Sequence, residues 1–148
     1  MTVTHATFAV ERTYDQPPAR VFAAWADADE KARWFAPPGE ASTLAFELDF
    51  RVGGRALSRA RVDGAVHTFD ARYHDIVPDE RIVFAYDMYL DDARISVSLA
   101  TVELEPAGAG TRLVFTEHGA FFPGGDTPEQ REQGWRELLD ALAGAPVR

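Results

Sequence analysis

The stretch Asp126-Thr-Pro-Glu-Gln-Arg-Glu-Gln-Gly-Trp-Arg-Glu-Leu-Leu-Asp-Ala-Leu-Ala-Gly144 decides how the rest of the chain must fold. Thr127 is placed to cap a helix, Pro128 suits the first turn, and Gln130 completes a Thr-x-x-Gln capping box. Glu129 and Glu132 suit the positive end of the helix dipole. Gly144 supplies a stop, and Pro146 forbids continuation. Trp135, Leu138, Leu139 and Leu142 fall at i, i+3, i+4 and i+7, a single apolar stripe. A helix of about sixteen residues is a rod of roughly 24 Å. That is long enough to cross a small sheet, and a sheet must bury the stripe.

The segments before this helix read mostly as strands. Thr7–Tyr14 alternates, with Phe8 and Val10 on one face, until Asp15-Gln-Pro-Pro18 breaks it. A short helix over Ala19–Ala26 puts Val21, Phe22 and Trp25 on one side. Asp27 is placed to cap a second short helix that runs through Trp34-Phe35 and ends at Ala36-Pro-Pro-Gly39. Leu44, Phe46, Leu48 and Phe50 alternate on one face before the Gly53-Gly54 turn. Arg55–Val62 carries Arg55, Leu57, Arg59 and Arg61 on one side and the small row Ala56, Ser58, Ala60 and Val62 on the other. Asp63-Gly64 is a hairpin signal. Ala65–Val77, Arg81–Tyr89, Ile95–Glu105 and Thr111–His118 complete a meander. Short turns between consecutive strands imply an antiparallel sheet. The expectation is an α+β domain spanning residues 1–148: a strand, two short helices, about six more strands and a long helix gripped by a bent sheet.

Composition narrows the partners. The chain has 148 residues, 46% hydrophobic and 26% charged, with a formal net charge of −9. Such an acidic surface is repelled by phosphate, so nucleic acid and anionic membranes are not expected partners. No run approaches the ~18 apolar residues of a membrane span. The N-terminal Met-Thr-Val-Thr-His lacks a basic segment followed by an apolar core, so no export signal is expected. Cysteine is absent, which removes disulfides, thiolate metal sites and cysteine nucleophiles. A reducing cytoplasm is the simplest home.

Chemistry-bearing motifs are sparse. His5, His67, His74 and His118 have no metal-ligand spacing. No nucleophile elbow or phosphate loop is present, so neither metal nor nucleotide cofactor is expected. His67 shares strand parity with Phe69, Ala71 and Tyr73 and can look into a cavity; the plainer reading is an ordinary exposed or satisfied polar residue. Glu117 alternates with Leu113 and Phe115. Facing inward, it is a buried carboxylate and a proton acceptor or polar anchor; as a rim residue it is unremarkable. The arginine row reads as a solvated face. Trp34, Phe35, Phe69, Tyr86, Met88, Phe121, Phe122, Trp135 and Leu138 are candidates to line a pocket. The small row and Gly134 leave volume for it, and Gly124-Gly125 can hinge a lid. The expected pocket lies between the long helix and the sheet, mouthed near Trp34-Phe35 and Phe121-Phe122.

Taken in order, Phe50-Arg-Val-Gly-Gly-Arg55, Val62-Asp-Gly64, Val77-Pro-Asp-Glu-Arg-Ile-Val-Phe84, Gly110-Thr-Arg-Leu113 and Gly134-Trp135 with Leu138 and Leu142 resemble the SRPBCC, or START-like, superfamily. Within it, the sequence is similar to bacterial single-domain proteins of the activator of heat-shock-protein-90 ATPase homologue family, from Phe8 to Leu142. One departure is Ala56, where a large aromatic is common. The resemblance implies a helix-grip fold, with six or seven antiparallel strands curved around the C-terminal helix. It also implies a cavity that holds an apolar or amphipathic small molecule; the residues themselves offer Trp34, Phe35, Ser58, His67, Phe69, Tyr86, Met88, Glu117, Phe121, Phe122, Gly134, Trp135 and Leu138 as the candidate contacts. No firm catalytic role follows. The rival readings are a cyclase- or isomerase-like enzyme using a cavity His or Glu, and a chaperone-interaction module. The oligomeric expectation is a monomer or a homodimer formed through strand edges or the exposed sheet face.

Overall fold

The computed structural model describes residues 2–35 and 42–144. The breaker Ala36-Pro-Pro-Gly39 and the stop residue Pro146 fall outside the described residues. Ten elements follow one another: β1 (Thr4–Tyr14), α1 (Pro18–Ala26), α2 (Ala28–Phe35), β2 (Ser42–Leu48), β3 (Arg55–Val62), β4 (Ala65–Val77), β5 (Arg81–Leu90), β6 (Ala93–Ala107), β7 (Gly110–Phe121) and α3 (Pro128–Leu142). All seven strands form one antiparallel sheet in the order β1-β7-β6-β5-β4-β3-β2. Only β1 leaves sequence order, pairing with β7. The β1-to-β2 connection through α1 and α2 therefore spans the sheet, as an α+β helix-grip fold requires.

α3 is built as its sequence dictates. Thr127 accepts from the Gln130 amide, the Gln130 side chain accepts from the Thr127 amide, and Pro128 occupies the first turn. Trp135, Leu139 and Leu142 are buried against the concave face of the sheet. Trp135 stacks on Phe115 at 4.1 Å between ring centroids. Removing such a buried aromatic costs about 3–5 kcal/mol. Tyr14 at the end of β1 donates to the Leu139 carbonyl at 2.8 Å, pinning the far end of the helix.

Bulges interrupt simple alternation in two strands, and the first corrects the reading that put Leu44 on one face with Phe46 and Leu48. In β2 the register shifts between Thr43 and Ala45, and Leu44 is 48% exposed rather than sharing the inner face with Phe46 and Leu48. In β4 the shift between Tyr73 and Asp75 leaves His74 exposed and returns Ile76 to the face used by Tyr73. One extra residue reverses strand parity, which periodicity alone does not report.

Candidate functional site

Three rows of paired residues cross β3, β4 and β5 on the concave face: Ala56–Ala71–Tyr86, Ser58–Phe69–Met88 and Ala60–His67–Leu90. The side chains on β3 are small, so α3 cannot close onto that side of the sheet. A cavity of about 430 Å³ results, within the roughly 300–1,000 Å³ range of small-molecule sites. Ser58, Ala60, Phe69 and Met88 form its floor, with His67 beside them. Gly134, Trp135 and Leu138 on α3 roof it, and Phe35 closes one wall. A Cβ added at Gly134 would meet nothing within 4 Å, so the absent side chain is volume given to the cavity. Asp126, Gln130 and Glu137 make a polar rim.

The expected residues divide in a physically simple way. Phe35, Ser58, His67, Phe69, Tyr86, Met88, Gly134, Trp135 and Leu138 come together at the cavity. Trp34 does not: it is buried at 2% exposure, packs edge-on to Trp25 and donates Nε1 to the Ala24 carbonyl, tying α2 to α1. Phe121 also stands off the lining, buried under the Arg131 guanidinium at 5.1 Å. Phe122 donates its amide to the Ile95 carbonyl and does not line the cavity. The expected lid segment is in fact packed on β6: a Cβ on Gly125 would stand 2.5 Å from Ile95 Cβ. The mouth therefore uses Phe35 but not Phe121-Phe122.

Glu117 faces inward but lies behind the cavity wall, fully buried. Its two oxygens accept from Tyr86 Oη and Ser98 Oγ, each at 2.7 Å. Tyr86 Oη in turn accepts from Arg131 Nη1 at 3.0 Å and from Trp135 Nε1 at 3.1 Å. The Arg131 guanidinium also donates to Ser96 Oγ at 2.8 Å and to Asp126. Gly119 makes this possible, because a Cβ there would strike the Phe121 ring at 2.6 Å and Ser98 Oγ at 3.0 Å. Burial raises the Glu117 carboxyl above its ordinary value, opposed by Tyr86, Arg131 and Ser98. Burial pulls Arg131 down, but Tyr86, Glu117 and Asp126 outweigh it and hold the guanidinium charged. Burial raises the Tyr86 hydroxyl as well, so it stays protonated and bridges the pair.

Arg131 is the buried, cavity-lining residue that the apolar-stripe pattern conceals. It lies four residues before Trp135, on the buried stripe itself, and a charge at a stripe position is a visible signal. Its partners come from β5, β6, β7 and the loop before α3, so only the assembled sheet shows what that charge is for.

The arrangement, a curved antiparallel sheet gripping a C-terminal helix over an aromatic-walled cavity, defines a ligand-binding fold class. Residues 15–145 match the family model described as Activator of Hsp90 ATPase homolog 1-like protein, and the chain belongs to that family. Its fold is similar to the crystal structure of a Rhizobium loti protein with 49% sequence identity and a TM-score of 0.89, covering 98% of this chain and 99% of that one. It is likewise similar to a protein from Rhizobium leguminosarum at 43% identity and TM-score 0.93, with 98% and 96% of the two chains covered. A Chromobacterium violaceum protein matches at 32% identity and TM-score 0.79, with 96% and 98% covered. No curated protein matches the chain.

Among the described residues no helix is long and apolar enough to cross a membrane. No group of three or more His, Asp or Glu side chains among them could hold a metal ion.

Proposed function

We propose that this protein binds an apolar or amphipathic small molecule between α3 and the sheet. One observation carries the reading: Ser58, Ala60 and Gly134 leave a cavity of about 430 Å³ against aromatic walls, inside an otherwise closely packed core. Filling that volume is the direct test. Gly134→Leu adds a side chain where a Cβ meets nothing within 4 Å. It is expected to abolish binding of the apolar fluorophore N-phenyl-1-naphthylamine while shifting stability by less than about 1.5 kcal/mol. Unchanged fluorophore binding in that variant overturns the site.

Neither rival reading gains comparable support. An acid–base enzyme would pair a cavity histidine with a carboxylate, whereas the Glu117 oxygens are taken by Tyr86 and Ser98 behind the wall. A chaperone-interaction surface would use the convex face, where β6 exposes Val97 and Leu99. Two such side chains are ordinary for a protein surface.

A further inference from the structure

We infer that the cavity selects an uncharged aromatic amphipath carrying a hydrogen-bonding oxygen, held by Ser58 and His67, and that it rejects the carboxylate of the same skeleton. This rests on the cavity reading above and adds the ligand's charge class.

The obvious anchor for an anionic ligand is Arg131, the cation on the lining. A guanidinium has five N–H donors; here four are committed to hydrogen bonds within the protein, and the nitrogen carrying the fifth stands beside the Glu117 carboxylate. Nε donates to Asp126 Oδ2 at 3.2 Å. Nη2 donates to the same oxygen at 3.1 Å and to Ser96 Oγ at 2.8 Å. Nη1 donates to Tyr86 Oη at 3.0 Å and stands 3.5 Å from Glu117 Oε2. Tyr86 Oη is spent as well, donating once and accepting twice. A ligand carboxylate would have to displace Asp126 or Tyr86, and it would meet Asp126 and Glu137 on the rim. Desolvating it without a partner is costly.

Across the cavity the situation reverses. Ser58 Oγ and the His67 ring make no hydrogen bond with any other described residue, yet both line the cavity. They lie on adjacent strands in neighbouring rows, Ser58 opposite Phe69 and His67 opposite Ala60. A ring packed against Phe69, Trp135 and Met88 can thus present a carbonyl or hydroxyl oxygen to these two side chains. Such a ligand satisfies the wall's open groups and disturbs none of the closed ones.

Three naphthalenes of nearly equal shape test this by calorimetry on the full chain at about pH 8, where a naphthoic acid is ionised. 2-Acetylnaphthalene is expected to bind about tenfold or more tighter than 2-naphthoate, because the acid alone brings an unpaired charge. Ser58→Ala and His67→Leu should each weaken 2-acetylnaphthalene about three- to tenfold, the net worth of one hydrogen bond. Neither variant should weaken 2-ethylnaphthalene, which has no oxygen, and this control separates a lost hydrogen bond from a damaged cavity. Tighter naphthoate binding that Gly134→Leu abolishes keeps the cavity and overturns its selectivity. Acetyl binding indifferent to Ser58 and His67 overturns the anchor. Binding of none of the three overturns both readings.

Discussion

Two cations stand out as buried among the described residues, Arg131 on α3 at 6% exposure and Lys31 on α2 at 3%, and their surroundings are opposites. Arg131 is enclosed by hydrogen-bond acceptors and two carboxylates. Lys31 is enclosed by rings: its Nζ lies 4.8 Å from the Phe35 centroid, 5.8 Å from Trp25, 5.9 Å from Phe69 and 6.0 Å from Tyr73. Among the described residues one long contact, 3.4 Å to Tyr73 Oη, is its hydrogen bond. Even the Trp25 indole N–H beside it lacks an acceptor among the described residues. Burial pushes the Lys31 amine down to about 7, whereas Arg131 is held charged. The same physical insult, removal from water, is offset by several specific partners in one place and, among the described residues, mainly by ring quadrupoles in the other. Arg131, on the cavity lining, is therefore held by specific partners, whereas Lys31, set against the Phe35 and Phe69 rings, is the cation whose charge is expected to respond to pH.

The largest effect should come from breaking the satisfied side. Arg131→Met leaves Glu117 and Tyr86 buried with a donor missing and Asp126 without its cation. It should cost about 3–5 kcal/mol in urea unfolding near neutral pH. Lys31→Met, by contrast, puts an apolar chain among four rings and should be neutral or stabilising under the same conditions. Equal costs for the two would show that the environments are energetically alike after all.

A pH series sharpens the contrast from the other side. The folded value of Lys31, about 7, lies below the ordinary lysine value near 10.4. Between these the unfolded chain holds a proton that the folded chain has released, so this residue makes stability rise with pH across that window. A displacement of about three units bounds the gain near 4–5 kcal/mol, and attraction of the charged form to the rings lowers it to about 2–3 kcal/mol. Relative to Lys31→Met, the wild type should gain that amount of stability from about pH 7 to 10. A difference that stays flat would mean the amine keeps its ordinary proton affinity.

The smallest effect belongs to an ion pair outside both sites. Arg12 Nε meets Asp140 at 2.7 Å, but the Asp140 side chain is 66% exposed. Arg12→Ala should change stability by no more than about 0.5 kcal/mol. A loss above about 1.5 kcal/mol would show that geometry at the surface matters here as much as burial does inside.

Short-range order is legible in the chain itself. The Thr127–Gln130 capping box, Pro128 and the Trp135–Leu139–Leu142 stripe specify α3 from within a few turns of chain, because capping and amphipathicity depend on near neighbours. Strand alternation and the Asp63-Gly64 turn place the meander for the same reason. The small row of β3 and the bare Gly134 announce missing volume, and the cavity lies between them. The sheet's local irregularities are not legible: Leu44 and Ile76 change face through bulges that leave no mark on composition.

Sequence by itself determined the elements, their order and which of their faces are apolar, since each follows from propensity and period along the chain. Tertiary structure decided where the charges went. Glu117 and Arg131 are fourteen positions apart, and Tyr86, Ser96 and Ser98 lie further back still; their meeting depends on sheet register and on where α3 lands across it. Only that meeting turns an arginine on an apolar stripe into a hydrogen-bond network, and only the same packing leaves Ser58 and His67 without a hydrogen-bond partner among the described residues across the cavity. A polar side chain's state is set by what stands within about 3 Å of it, and in a sheet fold those neighbours come from distant parts of the chain.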